Sequence, residues 1–220
     1  MEYAISILPQ MWVGVLTTLK VYFVAILPVL PLGVLFAISK VAGPKPLRWL
    51  LNIYTWAWRG TPLLLQLMIV KFGLPYLGIN IPEFYCATLV FALNTSAYVT
   101  EIMRGAIQSI DRGQYEAAKA LGIPYWTTMF RIVLPQAFRI ALPSACSEAI
   151  NLIKDTAIIS LISLQDITKV TQQIFARDHN IIVYVEAFCI YLILTSVLVF
   201  IFNRLEKRFG RYEQERSADQ

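Results

Sequence analysis

Charge is scarce in this chain. Asp, Glu, Lys and Arg make up 15% of it, too little to coat a soluble domain. Hydrophobic residues make up 57%, with a mean hydropathy of +0.59, which points to an integral membrane protein. Cysteine is scarce as well. Cys86, Cys146 and Cys189 are scattered through apolar runs, which speaks against a metal cluster or disulfide framework, and each reads as a small buried hydrophobe. His179 is the single histidine and falls in a loop, so no metal site is expected. No Gly-Lys-Ser/Thr phosphate loop occurs, so the chain is not expected to hydrolyse ATP by itself, and no catalytic constellation is found. Residues 1–10 contain no Lys or Arg and no small-residue cleavage site follows, so a cleaved signal peptide is not expected. The net charge of +5 does not form a nucleic-acid stripe. The basic residues lie beside apolar runs, where membrane topology explains them.

The apolar runs predict an all-α protein with five transmembrane helices, at about 11–39, 52–76, 84–107, 136–164 and 181–202. Together, residues 11–208 form one permease-sized domain. Pro28 and Pro31 should kink the first span, and Gly60 to Pro62 should bend the second; both breaks need cover from neighbouring helices. Residues 40–52 read as a basic connector. Residues 165–180 form an external segment in which Leu164, Ile167, Val170, Thr171 and Ile174 recur at helical spacing. Residues 209–220 are a charged tail. Lys40, Lys45 and Arg48, then Arg104, Arg112, Lys119, Arg131 and Arg139, then Arg204, Lys207, Arg208, Arg211 and Arg216 all fall on one side. The positive-inside rule puts that side in the cytoplasm, with the N-terminus outside and the C-terminus inside. Five helices without an internal repeat would make half a pathway, completed by a second subunit across a two-fold axis.

Polar residues inside the apolar runs are candidate functional groups by default. Span three carries Asn94, Thr95, Ser96 and Glu101. Span four carries Glu148, Asn151, Lys154, Asp155 and Thr156, of which 148, 151 and 155 share a helical face. The two spans are antiparallel, so these groups meet near mid-membrane. Asp155 or Glu148 suits a substrate ammonium. Lys154 and the amides or hydroxyls of Asn151, Thr156 and Thr95 suit a carboxylate. The alternative is structural, with Lys154 paired to Asp155 and hydrogen bonds tying the two helices together. Arg59 precedes the Gly-Thr-Pro break and is expected to cap it or to pair with an acid such as Glu101.

Between spans three and four, residues 108–135 are mostly polar or small. Residues 114–121 are helix formers ended by Gly122, and Pro124 fits the first turn of a second helix. Ala117, Ala118 and Gly122 leave little bulk, so another backbone could approach. Glu116-Ala117-Ala118, then Gly122, then Ile132-x-Leu134-Pro135 resembles the EAA loop of bacterial ABC importer permeases. Arg59-Gly60-Thr61-Pro62-Leu63-Leu64-Leu65-Gln66 and Lys154-Asp155-Thr156 resemble the polar amino acid uptake subfamily, which includes histidine, arginine and glutamine permeases.

The resemblance implies a permease subunit of the bacterial inner membrane. It would import an amino acid, basic or neutral by the acidic lean of its cluster, by alternating access. The 108–135 loop would hold the coupling helix that docks on a cytoplasmic ATPase dimer, with Glu116 as a polar contact and Ala117, Ala118 and Gly122 giving steric fit. ATP and magnesium would be bound by that ATPase and not by this chain. The further partners implied are a second permease subunit, an extracytoplasmic amino-acid-binding protein and membrane lipid. The rival readings are a channel or ion-coupled carrier without an ATPase, and a non-transporting anchor. Five spans and the coupling motif oppose the first, and the buried charges oppose the second.

Overall fold

The computed structural model describes residues 2–209, and every described regular element is helical. Gly210 onward, including Arg211, Arg216 and nearly all of the expected tail, lies outside the described residues. The α-helices are α1 (Glu2–Ile26), α2 (Val29–Ala42), α3 (Lys45–Gly60), α4 (Leu63–Met68), α5 (Glu83–Gln108), α6 (Arg112–Ala120), α7 (Tyr125–Thr128), α8 (Leu134–Asp155), α9 (Ile167–Asp178) and α10 (Ile182–Phe209).

The first helix starts well before residue 11. Its early turns are held from outside: Ile7, Met11 and Val15 are buried against Ile167, Val170 and Ile174 of α9 and Val183 and Ala187 of α10. Gly14 permits this approach, because a Cβ there would meet the backbone of Ile167 at 2.8 Å. The Tyr3 hydroxyl donates to Asp178 at 2.8 Å. With Arg177, the main influence, this bond lowers the Asp178 carboxyl to about 2. The helical spacing of residues 164–174 thus marks a real amphipathic helix, docked on α1.

Tyr3–Ala42 forms a 40-residue apolar stretch. At 1.5 Å per residue it would be roughly 60 Å long, twice the hydrocarbon thickness. It breaks at Pro28, which caps α2, and hydrogen bonding resumes from Leu32 to the Pro28 carbonyl at 3.0 Å. The expected connector at 40–52 is instead mostly helix. Only Gly43 and Pro44 interrupt it, and Pro46 fits the first turn of α3.

The second expected span, 52–76, bends where expected, between Gly60 and Leu63. α3 and the following Leu63–Leu77 segment meet at 108°. The second arm passes from α4 through a π turn, Ile69–Gly73, to a 3-10 turn, Leu74–Leu77. By length and apolarity, three stretches among the described residues could cross a membrane: Tyr3–Ala42, Glu83–Gln108 and Ile182–Arg208. The bent pair would be a fourth. α8 is not among them; it carries Arg139, Glu148, Lys154 and Asp155 besides Gln136 and Asn151. It continues as a 3-10 segment, Thr156–Ile162, closed by Ser163 at φ +67°.

α5 is the central post. It packs on α1, α2, α3, α4 and α8, and fifteen of its residues are buried. One apolar cluster joins Val21, Tyr22 and Ala25 of α1 to Ala87, Val90 and Phe91 of α5 and Leu152 and Ile153 of α8. A second joins Ala37 and Ile38 of α2 to Val99, Met103 and Ile107 of α5 and Ala137 and Ala141 of α8. α5 and α8 are therefore fixed side by side, and α3 and α4 hang on α5 at their break.

Candidate functional site

Breaking a helix at Gly60-Thr61-Pro62 strips several carbonyls of their donors, and Pro62 has no N–H to offer. Four side chains repair the loss, one of them Tyr98, whose hydroxyl donates to the Arg59 carbonyl at 3.4 Å. The Thr61 hydroxyl donates to the Ala57 carbonyl at 2.7 Å. Gln66 donates to the Trp58 carbonyl at 2.8 Å and to the Thr61 carbonyl and hydroxyl at 3.0 and 2.8 Å. Asn94 of α5 donates to the Trp58 carbonyl at 3.0 Å and to the Gln66 amide oxygen at 2.9 Å. Gln66 and Asn94 are both buried, so the broken helix and α5 share one polar knot.

Beside that knot lies a cleft of about 520 Å³. Thr61, Pro62 and Leu63 line it from the break, Asn94, Thr95 and Tyr98 from α5, and Glu148, Asn151, Lys154 and Asp155 from α8. Six of the eight candidate residues therefore meet there: Asn94, Thr95, Glu148, Asn151, Lys154 and Asp155. Ser96 and Thr156 do not line it. Both are fully buried in helix packing, and the Thr156 hydroxyl donates back to the Ile153 carbonyl at 2.6 Å. Glu148 is half-buried, while Asn151, Lys154 and Asp155 are exposed along one side of α8. Among the described residues none of the three charged groups has an ion-pair partner. The expected alternative of a Lys154–Asp155 pair is not formed among the described residues. Two carboxylates against one ammonium leave the cleft formally negative.

Arg59 does not cap the break; Gln66, Asn94, Thr61 and Tyr98 do. Its guanidinium lies 5.2 Å over the Tyr98 ring and 3.9 Å from Glu101. Glu101 collects three cations. Lys40 donates to it and also to the Thr55 hydroxyl at 2.7 Å, and Arg104 binds it at 2.7 and 2.8 Å. Lys40 is 5% exposed and Glu101 14%. This cluster ties α2, α3 and α5 together next to the cleft wall. Gln66, Thr61 and Tyr98 were not among the site residues expected from the sequence. The available signal was Gln66 itself, a polar residue set in an apolar run just after a helix break.

The loop between α5 and α8 begins with Asp111, whose side chain caps α6 by accepting from the Gly113 N–H at 2.5 Å. It closes with Ile123 N–H to Ala118 carbonyl at 2.9 Å and Gly122 N–H to Lys119 carbonyl at 3.0 Å. With Gly122 at φ +69°, this is a Schellman ending. Ala118 is buried inside the chain and is not available to a socket. Glu116, Ala117 and Gly122 are exposed, and a Cβ on Gly122 would meet nothing in this chain. After Pro124, α7, a π turn (Met129–Val133) and α8 run on continuously, so the helix holding Glu148 begins near Tyr125.

Long apolar helices, a broken helix repaired by buried amides and a charged cleft between helices define a polytopic membrane transport protein. The chain belongs to the family described as binding-protein-dependent transport system inner membrane component, whose model matches residues 29–211. It is therefore a permease subunit of an ABC importer, a class in which a separate ATPase and a binding protein take part. It is 41% identical to the arginine transport system permease protein ArtQ of Bacillus subtilis, over 91% of this chain and 93% of that one. It is 41% identical to a putative glutamine transport system permease protein, GlnP, of Rickettsia bellii, over 94% and 97%. A crystal structure of an amino acid ABC transporter with histidines superimposes with a TM-score of 0.86 at 34% identity, covering 93% of this chain and 96% of that chain. The MetNI methionine transporter, at 19% identity and a TM-score of 0.69, shares the fold.

Removing the Glu101 charge with Glu101→Gln should leave the nearly buried Lys40 unbalanced and cost about 3–5 kcal/mol. The expected result is a clear fall in the detergent unfolding temperature, restored in large part by Lys40→Met with Glu101→Gln. A wild-type unfolding temperature for the single variant would contradict the clamp.

Proposed function

We propose that this permease imports a polar amino acid, and that the cleft between the 60–62 break, α5 and α8 is its substrate site. The observation that carries this is the convergence of six polar or charged candidates on one cleft whose charged members have no ion-pair partners among the described residues. An amino acid brings an ammonium and a carboxylate. Glu148 and Asp155 suit the ammonium or a cationic side chain, and Lys154 and Asn151 suit the carboxylate. The negative balance favours a basic or neutral substrate over an acidic one. The names of the relatives, which include arginine, glutamine and cystine systems, support the substrate class.

The site is half a pathway. The exposed polar side of α8 bears Ser144, Ser147, Asn151, Lys154 and Asp155, and lipid would be a costly neighbour for it. A second permease subunit, identical or related, covers it across a two-fold axis. In this reading the chain crosses the membrane five times, with the 45–77 bent pair and α8 as spans whose polar parts face protein. The N-terminus and α9 are outside, and α6 and the C-terminus are cytoplasmic, as the positive-inside rule directs. α6 is the coupling helix: Glu116, Ala117 and Gly122 meet the ATPase, and the buried Ala118 anchors the helix to its own chain. The chain holds no ATPase site, and ATP and magnesium belong to the partner. ATPase closure pushes α6 and, through the unbroken α7–α8 rod, turns the face carrying Glu148 to Asp155.

Asp155→Asn keeps volume and removes charge. Apparent substrate affinity in uptake should fall roughly tenfold to a hundredfold, since a hydrogen bond to a charged group is worth about 1.5–3 kcal/mol. Recovery of full uptake by Lys154→Met with Asp155→Asn would rule out charge recognition by this pair. Separately, Gly122→Leu forces a branched side chain into a left-handed backbone on the face offered to the ATPase. Uptake and ATPase co-purification should both drop while membrane insertion persists. Normal uptake in that variant would remove α6 from the coupling interface.

A further inference from the structure

α10 is the least covered helix of the molecule. Only 6% of its most apolar stretch is buried, and its buried residues, Val183 and Ala187, are both near its start. Its other end carries Arg204, Lys207 and Arg208, all exposed, which line a groove with Phe200, Ile201 and Leu205. Arg204 is held in place by stacking on Phe200, with its guanidinium carbon 4.5 Å from the ring centroid. Glu206 sits beside Cys146 and is not part of this groove, so among the described residues three positive charges stand together with no acid lining the groove.

A second feature adjoins it. An apolar fissure of about 290 Å³ opens between α10, α8, α5 and the α1–α2 break. Leu30, Met103, Phe138, Ala145, Phe202 and Leu205 are among its walls, and every lining residue is apolar. Leu205 borders both the fissure and the basic groove. An apolar slot thus runs into a cationic rim at the end of a helix that the rest of the chain leaves bare.

We propose that this corner binds an anionic phospholipid of the adjoining leaflet, with its phosphate on Arg204, Lys207 and Arg208 and part of an acyl chain in the fissure. Charge complementarity selects the headgroup, because basic residues at a membrane surface attract anionic lipid. The apolar fissure selects a molecule with a tail over a free anion. Bound lipid would brace α10 against α8, the helix that carries the charged cleft residues Glu148, Lys154 and Asp155. This assignment holds whichever way the chain is inserted, so it stands or falls apart from the proposed topology and substrate.

The test is native mass spectrometry of the intact permease complex in mild detergent, offered an equimolar mixture of phosphatidylglycerol and phosphatidylcholine. Wild type should retain phosphatidylglycerol preferentially. Arg204→Gln, Lys207→Gln and Arg208→Gln together should weaken that preference by roughly tenfold or more. Ala145→Phe fills the fissure, keeps the cations and should also lower retention. No preference in wild type, or an undiminished preference in both variants, would overturn the proposal. So would a cysteine at position 204 that cross-links efficiently to a second protein chain, since the face would then be a protein interface.

Discussion

The structure depends on satisfying the backbone at one broken helix. A helix interrupted in an apolar environment exposes carbonyls that no water can serve. Here the repair is done by Gln66, Asn94, Thr61 and Tyr98. Because Asn94 belongs to α5, the repair fixes α3 and α4 to the central post. It also fixes the position of Thr61, Pro62 and Leu63 on the cleft wall. The polar groups that make the break affordable thus build one side of the cavity, and α8, packed on α5 through Leu152 and Ile153, brings the charged side.

Charge follows the same logic at two neighbouring places with opposite outcomes. At Glu101 the charges are closed on each other, with Lys40, Arg104 and Arg59 gathered around one carboxylate. A cluster of that kind, with Lys40 and Glu101 largely buried at its centre, holds helices together and is unsuited to trade partners with a visiting molecule. Along α8, Glu148, Lys154 and Asp155 have no such partners among the described residues. The Tyr98 ring stands between the two regions, with Arg59 over it and the cleft beside it. On the proposed reading of the cleft, charge that maintains shape is kept apart from charge offered to a substrate.

Much of this was legible in the sequence, for identifiable reasons. α9 announced itself because a one-sided apolar pattern needs a neighbour, and the neighbour is α1. The helix–turn–helix between α5 and α8 was legible because Gly122 suits a left-handed helix ending and Pro124 a helix start. Helix starts were less visible. Residues 2–10 have no strong apolar run of their own and are helical through packing on α9, a contact 160 residues away in sequence between Met11 and Thr171. Asn94, Thr95 and Ser96 were grouped as one site, yet consecutive residues on a helix point about 100° apart. The turn of α5 puts the first two on the cleft and Ser96 into the packing. Ala118 was expected on the docking face, but the same rotation turns it inward while Glu116 and Ala117 stay out. Gln66 stands out in its apolar run, but its partners, the Trp58 and Thr61 carbonyls, the Thr61 hydroxyl and the Asn94 amide, follow from the fold and no sequence pattern names them.

The central claim is that amino acids occupy the cleft beside the break. Leu63 lines that cleft and donates no polar group to it. In a complex whose native cysteines are replaced by serine, a cysteine at position 63 reports access from water. The rate of its modification by a small aqueous thiol reagent should fall severalfold when the transported amino acid is present at saturation. An unchanged rate, in a complex that still transports that amino acid, would contradict the assignment of this cleft as the substrate site.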